Sequence, residues 1–381
     1  MKNIKTSLII ISSTSFLLIL TLASIHILLK VFYSIRNNKD LYKNHIHGRP
    51  ELIDIYKKSG FSIADTKEIL KNAHRFSNTK SNFIYDSFLG FRERPRETRF
   101  VNISKHGFRR NSNLSPSDND LFNPNKNSKD ISRKNISKKT IYFFGASTAF
   151  GYGVSDNQTI PAYMEKIDPK LQVFNFGRGY YYSEQQNYLL DRLINSGAIK
   201  PKIAIFMQNH SERGGIYFYE KEMESLFESV AKDSYSWEIS EFAKPLFFIL
   251  SKLDRRKQDD NEEGDKYYSQ YDLKKMTLTE VFEKNLISRD FICKKHKIKC
   301  ITIIEPHSGE HSNQIFHSQE KKESLNKFFS KLKQVDHEYL DFTKVLAKNK
   351  MQAFVDYTHF SPDSHKIIAE EIVKYFKQND L

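Results

Sequence analysis

The chain has 381 residues, of which 60 are Lys or Arg and 46 are Asp or Glu, so its formal net charge is +14. Two cysteines exclude a disulfide scaffold, and 14 glycines with 10 prolines exclude a collagen-like or low-complexity chain. The aromatic content of 13% excludes wholesale disorder, and the length fits one large α/β domain with additions or two small domains. The basic residues are spread along the chain without a nucleic-acid-binding pattern, so we expect no nucleic-acid partner.

The amino terminus predicts a membrane anchor. From Thr6 to Leu29 the chain has 24 consecutive residues without Asp, Glu, Lys or Arg. As a helix this run would be about 36 Å long, and about 20 residues suffice to cross the hydrocarbon core of a bilayer. A long signal peptide cleaved near residues 21–23 is the alternative, but the apolar run continues beyond that point. We therefore predict a retained, single-pass transmembrane anchor over residues 6–33.

The charges that flank this segment give opposite predictions of its orientation in the membrane. Lys2 and Lys5 precede it, as in the short basic leader of an exported protein. Five basic residues follow it between positions 30 and 49, and a count of Lys and Arg alone would place the rest of the chain in the cytoplasm. The charge pattern therefore leaves the orientation open.

Residues 34–139 are predicted as a stalk and a strip that precedes the main domain, ending in a polar linker. Residues 37–80, which are polar and helix-prone, are the predicted stalk. Residues 81–109, which hold aromatic residues and arginines, contain the strip. Residues 110–139 are rich in Asn, Ser and Lys and have almost no apolar periodicity, which is typical of a loop.

From residue 140 to residue 381, short apolar strands alternate with helical patterns. The predicted strands are 140–144, 173–175, 203–207, 300–304 and 339–340. The predicted helices are 185–194, 279–296, 318–332 and 364–376. This alternation predicts an α/β fold, a three-layer α/β/α sandwich with a central, mostly parallel sheet. A charged segment over about 216–278 interrupts the pattern and is interpreted as an insertion.

The segments that follow the predicted strands carry the parts needed for acyl transfer. In parallel sheets, functional residues lie beyond the carboxyl ends of the strands. Ser147 follows the first strand at a strand-to-helix turn, where its hydroxyl can be exposed. A serine needs a base to become nucleophilic, and His359 has the right chemistry near neutral pH. Asp356, three residues earlier, can hold the imidazole in the productive tautomer.

Acyl transfer also needs hydrogen-bond donors for the oxyanion that forms. The turn at 177–179, after the second strand, can bring a backbone N–H close to a substrate oxygen. Asn209, after the third strand, can donate from its side-chain amide. Turn glycines and loop asparagines are common and usually have only structural roles. The order of these features and their spacing from the strands make the case together.

In combination, these motifs resemble the SGNH/GDSL hydrolase family over residues 141–376. That family has a Gly-Asp-Ser block after its first strand, a glycine block after the second, an asparagine after the third and Asp-x-x-His near its end. The matching residues are Phe144 to Val154, Asn175-Phe176-Gly177, Gln185, Asn209 and Asp356 to Pro362. Two further pieces, Leu89-Gly90-Phe91-Arg92 and Gly107-Phe108-Arg109, are similar to the strip that precedes the domain in membrane-anchored bacterial members.

The sequence departs from the family pattern at two places. Ala146 stands where the family usually has Asp, so the support of the serine turn differs. The usual oxyanion glycine aligns with Tyr180, whereas the glycines here are Gly177 and Gly179. A backbone N–H from one of these three residues is expected to fill the oxyanion role, because any residue except proline can supply one.

The resemblance implies an SGNH/flavodoxin-like fold and a membrane-anchored serine esterase. Its expected substrate is an acyl ester, preferably an O-acetyl ester, on a carbohydrate or lipid. Ser147 would attack the ester, His359 would move the proton and Asp356 would orient the imidazole. His210 and Arg213 are similar to a His-x-x-Arg continuation in some anchored members, and either substrate binding or a polar loop explains them. We expect no metal and no other cofactor.

Two other functions stay open. An acyltransferase could use the same serine, with a sugar hydroxyl in place of water. A catalytically silent domain could bind a glycan or a partner at the bacterial envelope, given the changes at Ala146 and Tyr180. Because anchored family members act near envelope glycans, we expect the catalytic domain on the extracytoplasmic, periplasmic side. Cys293 and Cys300 could pair in that oxidising compartment or stay as free thiols.

Overall fold

The computed structural model describes residues 21, 23–29, 31, 50–73, 83–86, 89–111, 121–122, 138–209, 277–310, 319–347, 352–356 and 358–381. The chain divides into two units, residues 1–48 with 235–271 and residues 49–234 with 272–381. The helices and strands defined below all belong to the second unit.

The predicted anchor lies largely outside the described residues. Those of its residues that are described, between positions 21 and 31, are helical. Within the described ranges, no helix is long and apolar enough to cross a bilayer. The transmembrane segment over residues 6–33 therefore stays a prediction. The predicted insertion over 216–278 also lies outside the described ranges, apart from its last two residues.

The main unit is built around a parallel sheet. Its strands, in chain order with the preceding hairpin, are β1 (Phe83–Asp86), β2 (Gly90–Glu93), β3 (Lys139–Gly145), β4 (Leu171–Asn175), β5 (Ile203–Gln208), β6 (Lys299–Ile304) and β7 (Leu340–Asp341). The helices are α1 (Pro50–Lys58), α2 (Ile63–Ala73), α3 (Ser147–Phe150), α4 (Ile160–Ile167), α5 (Ser183–Asn195), α6 (Leu278–His296), α7 (Gln319–Leu332) and α8 (Pro362–Gln378). Strands β1 and β2 pair antiparallel, and the other five pair parallel in the order β4-β3-β5-β6-β7. The predicted α/β class with a central parallel sheet is confirmed.

The two faces of the sheet bury different side chains, because successive residues of a strand point to opposite sides. One face is largely aromatic and packs against α5 and α6; its strand residues include Tyr142, Phe144, Phe174 and Phe206. The other face is largely aliphatic and packs against α4 and α8; its strand residues include Ile141, Val173, Ile205 and Ile303. Helices thus cover both faces, which explains why the strands are apolar nearly throughout.

The strand order places several strand ends side by side. Strand β3 lies between β4 and β5, and both neighbours are parallel to it. Gly145 at the end of β3 is opposite Met207 of β5, and Asn175 at the end of β4 is opposite Phe143. The chain therefore leaves all three strands at one edge of the sheet, where a crevice for a ligand is expected.

Helix α1, part of the predicted stalk, packs against the same unit. The side chain of Tyr56 is fully buried, and its hydroxyl donates to the carbonyl of Gly153 at 2.5 Å. Tyr56 shares a hydrophobic cluster with Phe150 and Val355, which lie close in sequence to two of the predicted site residues. This part of the predicted stalk is therefore docked on the domain.

A buried arginine ties the strip before the linker to the turn after α3. The Arg109 guanidinium lies 2.9 Å from Asp156 Oδ1 and donates to the carbonyls of Phe150 (3.0 Å), Gly151 (2.5 Å) and Val154 (2.6 Å). Both side chains of the ion pair are almost fully buried. Such a charge is tolerated in an interior only when it is paired and hydrogen-bonded, so the strip and the turn hold each other in place.

The two cysteines form a disulfide. Cys293 lies in the last turns of α6 and Cys300 near the start of β6, with their Cα atoms 6.1 Å apart. The bond closes the short connection between that helix and the next strand.

Helix α4, which the sequence analysis did not predict, protects the edge of the sheet. Its amino terminus is capped by Thr159, whose hydroxyl accepts the Ala162 N–H. Strand β4 is an edge strand, and the backbone N–H of Val173 donates to Glu165 Oε1 of α4 at 2.8 Å. Burial raises the pKa of Glu165 to about 7, although the bond from Val173 opposes this shift.

Replacement of Glu165 with Gln should change the pH dependence of stability. Because the folded-state pKa is raised, the native protein keeps a proton that the unfolded chain has lost, and stability falls as the pH rises from about 4.5 to about 7. Measured by urea denaturation, the free energy of unfolding of the wild type should fall by about 2 kcal/mol more than that of Glu165→Gln over this pH range. This is less than the full pKa shift implies, because the side chain is half-buried. Identical pH profiles for the two proteins would contradict the assignment.

Candidate active site

A tight turn before α8 holds Asp356 and His359. Phe354 and Phe360 form an isolated antiparallel bridge on either side of it. Inside the turn, Asp356 Oδ1 accepts the backbone N–H groups of Thr358 at 2.8 Å and of His359 at 2.7 Å. These bonds fix the carboxyl group, so that its second oxygen faces the imidazole of His359.

Ser147, His359 and Asp356 form a continuous chain of hydrogen bonds. His359 Nδ1 lies 2.7 Å from Asp356 Oδ2, and His359 Nε2 lies 2.9 Å from Ser147 Oγ. Asp356 is 4% exposed and His359 is 6% exposed, whereas Ser147 is half-buried. With the Nδ1 proton held by the carboxylate, Nε2 is the acceptor for the serine proton. This arrangement can convert a serine hydroxyl into a nucleophile.

Ser147 is the one residue of α3 that is not fully buried. The helix begins directly after β3, and its other residues, Thr148, Ala149 and Phe150, are buried. Ala146 precedes it in an extended conformation and supplies no side-chain cap. The turn is therefore supported from elsewhere in the fold.

Part of that support is a buried carboxyl group from the end of β6. Thr148 Oγ1 donates to Glu305 Oε2 at 2.7 Å and accepts from Asn209 Nδ2 at 3.1 Å. Glu305 is 2% exposed, and burial raises its pKa well above the ordinary value, while hydrogen bonds from Thr148 and Asn209 oppose the shift. The network holds Asn209, predicted as an oxyanion donor, beside the residue that follows the nucleophile.

Gly177 is placed by close packing against α3. A Cβ at this position would lie 2.2 Å from the backbone nitrogen of Phe150, so only glycine fits. Its N–H donates to Asn175 Oδ1 at 3.0 Å. The geometry does not support the predicted role of Gly177 as an oxyanion donor, because its amide is already bonded inside the protein.

The same correction applies to Gly179, but not to Tyr180. The Gly179 N–H donates to Glu93 Oε1 at 3.1 Å, and a Cβ there would lie 2.8 Å from the hydroxyl of Tyr152. Tyr180 has a φ of 66°, the left-handed conformation that glycine adopts most easily. The position where the family glycine aligns thus keeps a glycine-like backbone, and Tyr180 stays the candidate donor of this turn.

His210 and Arg213 lie outside the described residues. The sequence analysis missed three site residues, Thr148, Glu305 and Glu93. Glu305 could have been found, because it directly follows the fourth predicted strand, where the same rule applies as for Ser147 and Asn209. No local signal singles out Glu93, which lies between two arginines.

Solved structures with similarity to this chain include one named for the G-D-S-L family and others named as an esterase or an acylhydrolase. A lipolytic protein of the G-D-S-L family from Desulfitobacterium hafniense is 14% identical, with 62% of this chain and 99% of that chain covered and a TM-score of 0.35. An acetyl xylan esterase from Geobacillus stearothermophilus is 15% identical, with 62% and 94% covered and a TM-score of 0.35. A lipase/acylhydrolase from Enterococcus faecalis is 15% identical, with 63% and 96% covered and a TM-score of 0.35.

No protein-family model matches the sequence, and no curated protein matches it. The interpretation of the site therefore rests on the hydrogen-bonded geometry of its own residues.

The Thr148 hydroxyl should be needed for stability even in the absence of any substrate. Thr148→Val keeps the shape of the side chain but leaves Glu305 and Asn209 without their shared partner in a buried place. We expect a loss of about 1–3 kcal/mol in the free energy of unfolding, measured by urea denaturation. Thr148→Ser, which keeps the hydroxyl, is the control and should lose less. A Val variant as stable as the Ser variant would contradict the network.

Proposed function

We propose that this chain is a serine ester hydrolase of the SGNH type. The observation that carries the proposal is the chain of hydrogen bonds from Asp356 through His359 to the hydroxyl of Ser147. The acid and the base are buried, while the serine can be reached from solvent. The resemblance of the surrounding motifs to the family adds support.

In the first half of the proposed reaction, Ser147 Oγ attacks the ester carbonyl. His359 Nε2 takes the hydroxyl proton, and Asp356 stabilises the imidazolium that forms. When the tetrahedral intermediate collapses, the bond to the alcohol oxygen breaks and Nε2 returns the proton to the leaving alcohol. The acyl group stays on Ser147 as an ester.

In the second half, a water molecule attacks the acyl-enzyme. His359 Nε2 takes a proton from the water, a second tetrahedral intermediate forms, and its collapse returns the proton to Ser147 Oγ. The products are the free carboxylic acid and the regenerated enzyme.

The proposed oxyanion donors are the backbone N–H groups of Ser147 and Tyr180 and the side-chain amide of Asn209. The hydrogen bond from Asn209 to Thr148 favours this assignment, because it holds the amide next to the nucleophile turn. A donor of this type is worth about 2.7–4 kcal/mol of transition-state stabilisation. The proposed substrate is an O-acetyl or other short acyl ester on a carbohydrate or lipid, on the strength of the motif resemblance.

Substitution of the three linked residues should abolish ester hydrolysis. With purified full-length protein and an activated acetyl ester, Ser147→Ala and His359→Ala should each lower kcat by at least roughly 1,000-fold, because the residues act as a unit. Asp356→Asn should cause a comparable or smaller loss, since it acts through the tautomer of His359. The measurement is the initial rate of ester cleavage, with folding checked by circular dichroism.

A second histidine–carboxylate pair provides the matched control. His296 lies in the last turn of α6, and its Nε2 atom is 3.0 Å from Oδ1 of Asp191 in α5, with no serine in the pair. His296→Ala should keep the wild-type rate. Unchanged turnover in Ser147→Ala would contradict the proposal. A folded wild-type protein that hydrolyses no ester would favour a binding domain without catalysis.

For location, we propose a single-pass anchor at residues 6–33 with the catalytic domain on the extracytoplasmic side. The uncharged run from Thr6 to Leu29 supports the anchor, and the disulfide between Cys293 and Cys300 supports an oxidising compartment. The membrane and an ester-bearing glycan or lipid are the proposed partners.

Protease added to intact spheroplasts should digest the catalytic domain under this proposal. Antibody against residues 358–381 would follow the digestion, with a cytoplasmic protein as the control for leakage. Protection of the domain until the cells are lysed would place it in the cytoplasm and exclude substrates on exposed glycans.

A further inference from the structure

The carboxyl group of Glu93 receives two hydrogen bonds from the neighbourhood of the triad. Glu93 ends strand β2 and is 1% exposed. Its Oε1 atom accepts the hydroxyl of Tyr152 at 2.8 Å and the backbone N–H of Gly179 at 3.1 Å. Glu93 Oε1, an oxygen of the strip, therefore connects two segments of the main domain, the one that contains Tyr152 and the one that contains Gly179.

The first of these segments touches both the nucleophile and the base. The backbone N–H of Tyr152 donates to the carbonyl of Ser147 at 3.0 Å. The ring of Tyr152 packs edge-to-face against the imidazole of His359, with 5.5 Å between the ring centroids and 87° between the planes. A shift of Tyr152 would therefore disturb the wall against which the imidazole is held.

The second segment is the turn that carries the candidate oxyanion donor. Gly179 precedes Tyr180, whose left-handed φ of 66° costs a residue with a side chain about 1–2 kcal/mol. Such a conformation persists only where its surroundings impose it. The bond from Gly179 to Glu93 fixes the peptide just before this residue, and the ring of Phe83, also in the strip, lies beside the Tyr180 ring at 6.1 Å.

The role requires an acceptor oxygen and not a charge. Burial raises the pKa of Glu93, and the bond from Gly179 and the nearby charge of Arg96 oppose that shift. Either form of the carboxyl group can accept the two hydrogen bonds, and so can the amide oxygen of a glutamine. An alanine can accept neither.

We infer that Glu93 is a positioning residue of the esterase site, which holds the Tyr180 turn and, through Tyr152, the imidazole of His359. The inference rests on the proposed function. It makes the strip before the linker a working part of the active site: without the Glu93 oxygen, substrate still binds, but the oxyanion donor and the base are no longer held in the geometry of the transition state.

The test compares kcat and KM for an activated acetyl ester in full-length wild type, Glu93→Ala and Glu93→Gln. We expect Glu93→Ala to lower kcat by about 10- to 100-fold with little change in KM, because small displacements of reacting groups have effects of this size. Glu93→Gln should keep most of the wild-type kcat, because the amide oxygen can accept the same two hydrogen bonds.

Asp86 offers a matched control from the same strip. It is a buried carboxylate that accepts from Arg192 at 2.7 Å and from the Leu89 N–H at 3.2 Å. Asp86→Ala should lower the melting temperature but leave kcat within about twofold of the wild type, since its loss is one of stability. A folded Glu93→Ala variant with the kcat of Asp86→Ala would overturn the inference.

Tyr152→Phe keeps the inference testable if Glu93→Ala does not fold. It removes the hydroxyl that bonds Glu93 but keeps the ring against His359, and we expect a fall in kcat of about fivefold or more. A wild-type kcat in this variant would also overturn the inference. If Ser147→Ala keeps the full activity, the proposed function itself fails. If the rate depends on Ser147 but is the same in Glu93→Ala and Tyr152→Phe as in the wild type, only the positioning role is overturned.

Discussion

The candidate active site depends on one interaction, the hydrogen bond between the Asp356 carboxylate and the Nδ1 atom of His359. It determines which nitrogen carries the proton and therefore leaves Nε2 to accept from Ser147 at 2.9 Å. The carboxylate is held in place for this bond because, in the turn between Phe354 and Phe360, two backbone N–H groups donate to its other oxygen. Ser147 itself lies where the chain leaves β3, at the edge of the sheet where the neighbouring strands β4 and β5 also end.

Residues outside the α/β core hold this edge together. Arg109 binds three carbonyls in the turn after α3, Glu93 binds Tyr152 and Gly179, and Tyr56 of α1 binds the carbonyl of Gly153. All three are buried. In this chain the segment before the polar linker is therefore not a spacer between a predicted anchor and a domain; it supplies polar side chains that the loops of the domain need for their own hydrogen bonds.

Local sequence signals were sufficient for the parallel sheet, and they named the three residues that the structure places in one chain of hydrogen bonds. Compact apolar runs with a glycine or proline nearby predicted four of the five parallel strands, and Ser147 and Asn209 were found directly after two of them. Asp356 and His359 were predicted from their place before the last helix. The support of the site could not be predicted in this way. Glu93 and Gly179 are 86 residues apart, and a glutamate between two arginines is typical of a solvated surface. The turn glycines predicted a donor, whereas packing against Phe150 and Tyr152 explains why they are glycines.

The most direct test of Ser147 as the nucleophile is to locate the covalent adduct of a fluorophosphonate probe by peptide mass spectrometry of the full-length protein. We expect one adduct on Ser147, in the peptide that follows Gly145-Ala146, because only this serine has its hydroxyl bonded to His359 among the residues that the structure describes. The adduct should be absent from His359→Ala. An adduct on another serine, or a wild-type protein that stays unmodified while folded, would show that Ser147 is not the nucleophile.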